Sequence, residues 1–168
     1  MALVQLRADT RTQLRVYLND HLAGATAGRD LARRCQSQNR GTPLGDFLLE
    51  LVEEITEDRA VLESLLRGLG MPVAAPKQLL AAVAERAARL KLNGQLTGYS
   101  DLARLEELEM LCAGVDAKGC LWLSLQQIPD PDPAIADAPL DDLVARAARQ
   151  RRDLEEHRQA AARRALSP

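Results

Sequence analysis

Two histidines and the carboxylates near them are the side chains whose type and spacing could support chemistry. His21 falls in the series Leu14, Leu18, His21, Ala25, Gly28, Ala32 and Cys35. Steps of four and three place all of these on one face of a helix, so His21 sits on a core seam. Asp58 occupies the same kind of position in Leu48, Leu51, Ile55, Asp58, Leu62, Leu65 and Leu69. A seam carboxylate without a partner would be costly. Counting from the loop between the two helices sets His21 and Asp58 at similar heights, which predicts a direct contact that orients the imidazole. A second pair is expected from Glu109, next to the stripe Leu105, Leu108, Cys112, Val115, Gly119 and Trp122, and His157, on the stripe Leu143, Ala147, Gln150, Leu154, His157 and Ala161. The two pairs fall toward opposite ends of the bundle, roughly 10 to 15 Å apart at 1.5 Å per residue, which argues against one shared site.

Four-helix di-metal centres take one Glu from each of two helices and a Glu-x-x-His motif from each of the others. That motif is missing. Glu54 lies among Glu50, Glu53 and Glu57 with no histidine nearby, and Asp153, Glu155 and Glu156 all miss the position three before His157. The expectation is therefore no catalytic residue, no cofactor and no metal. The alternative is a carboxylate–histidine site for iron or manganese drawn from His21, Asp58, Glu54, Glu109 and His157. Neither histidine lies in a loop where a nucleophilic triad could converge, and no glycine loop for phosphate is present. Cys35, Cys112 and Cys120 lack metal-ligand spacing and read as small core residues. Gly24 and Gly28, flanked by Ala23, Ala25 and Ala27, read as a face where another helix approaches closely.

The elements that must carry these residues are helices. The chain has 168 residues, among them 30 Leu and 27 Ala but only 17 Val, Ile and Thr together, a balance that excludes all-β and α/β folds. Stop and start signals predict helices over about 4–38, 43–69, 76–92, 100–128 and 137–166, in a single domain spanning 1–168. Thr42-Pro43 and Ser100 supply N-terminal signals, and Pro129-Asp130-Pro131-Asp132-Pro133 is a non-helical link. Short loops make the first two and the last two long helices antiparallel hairpins. The long link containing the 76–92 helix carries the chain back, giving an all-α, ferritin-like four-helix bundle with a crossover. The segments Tyr17-Leu18-Asn19-Asp20-His21-Leu22-Ala23-Gly24-Ala25 and Leu90-Lys91-Leu92-Asn93-Gly94 resemble an uncharacterised bacterial ferritin-like family. That resemblance implies the fold and carries no known activity.

Charge narrows the partners. The net charge is −2 and the 19 Arg are interleaved with acids, so no uncompensated positive surface for nucleic acid is expected. Arg146, Arg149, Arg151 and Arg152 read as a solvated helix face. Residues 1–40 carry net +4 and 43–67 net −5, a complementary first hairpin. No apolar run is long enough for a membrane span, and the start of the chain lacks the layout of a secretory signal. Three unpaired thiols agree with a reducing compartment, and Arg far outnumbers Lys, as in high-GC bacteria. The expectation is a cytoplasmic, non-catalytic bundle acting through a protein partner or as a homo-oligomer.

Overall fold

The protein was analysed as a computed structural model, which describes residues 2–73 and 99–167, with side chains from Thr10 onward. Among these residues there is no strand, and the chain forms α1 (Ala2–Gln38), α2 (Pro43–Gly68), α3 (Asp101–Gln126), α4 (Pro133–Ala136) and α5 (Leu140–Leu166). The helix expected over 76–92 lies outside the described residues. No described helix is long and apolar enough to cross a membrane.

Local chemistry accounts for the helix ends. Thr42 caps α2 by accepting from the Gly45 N–H at 3.1 Å, and Pro43 fills the first helical position, where no N–H is needed. Gly45 has to be glycine: a Cβ there would lie 2.1 Å from the Asn39 carbonyl oxygen. The far end of α2 closes on Gly70 at φ +62°, with Met71 N–H bonded to Leu66 O and Gly70 N–H to Arg67 O. This is the Schellman arrangement, with Met71 and Leu66 in the same apolar cluster. Ser100 caps α3 as expected. The proline link departs from expectation at its end, because Asp132 caps the single turn of α4, and α5 begins at Leu140 rather than near 137.

Cross-helix bonds fix the topology. Tyr17 meets Ser124 and Arg34 meets Glu107, so α1 and α3 are antiparallel. Arg149 reaches Glu54 and Arg146 reaches Glu57, so α2 and α5 are antiparallel; Gln126 with Asp141 and Arg151 with Asp116 say the same of α3 and α5. Packing is most extensive within the pairs α1–α2 and α3–α5. Around the bundle the order is α1, α2, α5, α3, with α2 and α3 parallel across the diagonal. The core divides into two apolar clusters. One holds Leu48, Leu51, Leu108, Leu111 and Leu154, and the other Leu18, Leu62, Leu66, Leu121 and Trp122.

Candidate functional site

Between the two apolar clusters lies a layer of charged side chains. Asp58, on the α2 seam, is 2% exposed, as its heptad position requires. Its partners are cations rather than His21. Lys118 Nζ of α3 donates to Asp58 Oδ2 at 2.5 Å, and Arg146 Nη1 of α5 donates to Asp58 Oδ1 at 3.0 Å. Lys118 also donates to Gln150 Oε1 at 2.5 Å, and Gln150 Nε2 passes the chain on to Glu54 Oε2 at 2.7 Å. Glu54 is closed off by Arg149, and Arg146 also binds Glu57 at 2.8 Å. The sequence Arg146–Asp58–Lys118–Gln150–Glu54–Arg149 is thus one continuous hydrogen-bonded chain through α5, α2 and α3. Glu54, Glu57 and Asp58 supply three negative charges, and Lys118, Arg146 and Arg149 balance them.

Burial pushes the Lys118 ammonium below its ordinary range, against the raising effect of Asp58 beside it. A side chain this desolvated is held charged by its partners, which is the condition under which a buried ion pair is tolerated. Arg146, expected on a solvated face, is instead drawn inward onto Asp58, with its side chain 27% exposed.

The expected histidine pairs are not formed. His21 is half-buried and sits edge-on to the Tyr17 ring, centroids 4.6 Å apart, and burial lowers its pKa against the field of Asp20. His157 stacks on Phe47 at 4.7 Å and is likewise shifted down by burial. Glu109 turns outward, 3.8 Å from Arg158. The seam positions of His21 and His157 are half-buried, and Glu109 faces solvent. Height along the bundle does not by itself set the pairing, because a carboxylate in a low-dielectric seam is better satisfied by a cation than by an imidazole that burial keeps neutral. Sequence reasoning does not single out Lys118 and Arg146 for this site, although Lys118, three after Val115 and four before Trp122, has the spacing of a seam residue.

At the level of the charged layer α1 contributes Gly24, Ala25 and Gly28. Close helix packing was expected there, but a Cβ built at Gly24 or Gly28 meets nothing within 4 Å. These glycines instead line an open groove of about 460 Å³ between α1 and α3, with Gly24 exposed to solvent. Its floor holds Asp58 and Lys118, its walls include Ile55, Leu62, Met110 and Leu121, and His21 and Asp20 also line it. Trp122 is 1% exposed and lines the groove, and its indole N–H has no hydrogen-bond partner among the described residues.

A second polar cluster, missed in the sequence, lies at the opposite end of α1. Glu107, buried in α3, accepts from Arg34 at 3.0 Å and from the Tyr99 hydroxyl at 2.9 Å. Asn39 donates to Tyr99 Oη and accepts from Arg104, and Arg104 lies over the Tyr99 ring. The cluster ties the start of α3 to the end of α1. Cys35 beside it is buried, which pushes its thiol up to about 11. Cys112 is buried as expected, whereas Cys120 is exposed.

Among the described residues no three His, Cys, Asp or Glu side chains are grouped to hold a metal ion. Comparison with protein-family models, with curated proteins and with solved structures finds no match.

Proposed function

We propose that the chain is a non-catalytic, ferritin-like four-helix bundle that works by binding, with its polar core layer serving structure. The observation that carries this reading is the Lys118 ammonium between α2, α3 and α5. In a bundle that carries a metal centre, inward carboxylates converge on a cation. Here the cations are supplied by the protein itself, since Asp58 is held by Lys118 and Arg146 and Glu54 by Arg149 and the Gln150 amide. A dication would have to expel a buried ammonium, and neither His21 nor His157 is paired with a carboxylate to receive it. These residues do not fit iron or manganese. The parallel diagonal of α2 and α3, with two antiparallel hairpins, supports the ferritin-like assignment.

Binding is assigned to protein contacts, including self-association, because the exterior alternates charges of both signs with single exposed apolar residues such as Val16, Leu49 and Leu123. Two measurements test the reading together. Protein purified without chelator from iron-supplemented medium contains well under one equivalent of iron or manganese by mass spectrometry. Light scattering on the same sample gives a mass of two or more chains. A stoichiometric metal lost on Glu54→Ala would sink the non-metal assignment, and a monomer that recovers no partner would remove the contact assignment.

A further inference from the structure

We infer that the outer face of the α1–α2 hairpin, close to its loop, is the surface on which a second copy of this chain docks about a two-fold axis. The inference names a surface for the self-association part of the binding reading and rests on that part.

The first observation is charge that the hairpin does not spend on itself. Residues 1–40 carry net +4 and 43–67 net −5. Among the described residues, however, no ion pair joins α1 to α2: Glu54, Glu57 and Asp58 turn to α3 and α5, and Arg34 turns to α3. Left on the outside are Arg33 of α1, Arg40 in the turn after it, and Asp46, Glu50 and Glu53 at the start of α2. All five are exposed, and none is in an ion pair among the described residues.

The second is where these charges stand. Asp46, Glu50 and Glu53 follow steps of four and three, so they form one column on α2, on the side away from its buried seam. Arg34 reaches α3, and the rotation of about 100° between successive helical residues sets the exposed Arg33 on the other flank of α1, beside α2. Heights match as well. Counted from the loop at 1.5 Å per residue, Arg33 stands about 9 Å along α1, between Asp46 at about 6 Å and Glu50 at about 12 Å along α2. Leu49, 51% exposed, lies between the two columns, one turn on from Gly45, which packs against the Asn39 carbonyl at the end of α1.

The third is symmetry. A two-fold axis parallel to the helices lays α1 of each copy over α2 of the other at equal height, with both loops at one end. Arg33 and Arg40 then face the acidic column of the second copy, the same contact forms twice, and Leu49 meets Leu49 of the second copy near the axis. An axis across the helices would set α1 on α1 and bring like charges together. A face that carries both signs in this order is complementary to itself, which docking of a purely basic or purely acidic partner would not require. The match ends away from the loop, where Arg15 of α1 and Arg67 of α2 are both exposed and basic. What remains is roughly 20 Å by 20 Å, about 400 Å² per copy, the size of a weak and reversible interface.

Sedimentation equilibrium of the full-length protein tests the surface. The expected result is a reversible monomer–dimer equilibrium with a Kd of about 10 to 100 μM at about 0.05 M salt, weakened at least about fivefold at about 0.5 M salt. Arg33→Glu with Arg40→Glu, and separately Glu50→Lys with Glu53→Lys, change exposed positions only, so the circular dichroism melts stay cooperative while each variant dimerises at least about tenfold more weakly. An equimolar mixture of the two variants restores the wild-type Kd within about threefold, because the reversed columns meet each other and the two native columns also meet. Wild-type protein that stays monomeric up to about 1 mM overturns the surface and the self-association reading together. A wild-type dimer that neither reversal weakens leaves self-association standing and overturns this surface alone. A mixture that dimerises as weakly as its components overturns the two-fold arrangement.

Discussion

Replacing Lys118 with methionine keeps most of the unbranched apolar stem, one atom shorter, and removes the charge and donors. In the folded protein this leaves Asp58 Oδ2 and Gln150 Oε1 without their 2.5 Å partner in a layer where Asp58 is 2% exposed. Breaking a buried pair by removing one partner costs about 3 to 5 kcal/mol in general. Arg146 stays on Asp58 Oδ1 but is itself partly exposed, so some compensation survives and a loss of about 2 to 4 kcal/mol is expected. Asp58→Leu should cost less than Lys118→Met. The ammonium it strands is already pushed down in pKa by burial and can release its proton, an escape not open to a carboxylate that keeps one guanidinium partner. The double variant should be more stable than the sum of the single losses predicts, by about 1 to 3 kcal/mol. Urea unfolding followed by circular dichroism measures all three; at a slope of about 2 to 3 kcal/mol/M, Lys118→Met moves the midpoint by roughly 1 M. Additivity within about 0.5 kcal/mol would refute the claim that these two side chains share one buried interaction. The matching cycle of His21→Leu with Asp58→Leu serves as the control and should be additive, because Asp58 spends its bonds elsewhere.

Stability should also fall as pH drops below the ordinary histidine value of 6.5: His21 and His157 have folded pKa values lowered by burial, so the unfolded chain takes up protons first, and ∂ΔG/∂pH is positive from 6.5 down to the folded values. Denaturant midpoints measured from pH 7 to pH 5 test this, and a His21→Gln, His157→Gln variant should flatten the slope; an equal slope in that variant would assign the effect to other groups. Gly45→Ala should destabilise by about 1 to 3 kcal/mol because its Cβ collides with backbone, whereas Gly114→Ala should stabilise by about 0.5 to 1 kcal/mol because nothing is met and helix propensity improves. Thermal melts of the two variants give opposite signs if the backbone placement is right. A thiol-reactive dye should label one cysteine rapidly in the native state, and peptide mapping should find it at Cys120, with Cys35 and Cys112 reacting only on unfolding.

The sequence by itself determined α1, α2, α3 and most of α5, and which face of α2 is buried. Leucine and alanine at steps of three and four, interrupted by Asn39-Arg40-Gly41, Gly70 and the proline link, specify period and breaks, and both are local properties of the chain. All seven α2 seam residues are buried, including Asp58, whose polarity might have argued against it. Loop lengths then sufficed for two hairpins and a parallel α2–α3 diagonal. What only the tertiary structure decided is which polar group meets which. Heptad phase gives the direction in which a side chain leaves its helix, but not how far it reaches, and Lys118 and Arg146 reach Asp58 because long side chains bridge across a helix interface. Nor could phase distinguish glycines that admit a neighbouring helix from glycines that face an open groove. Gly24 and Gly28 read identically in either case, and the difference is set by how closely α3 approaches α1, a distance fixed by packing of the whole bundle.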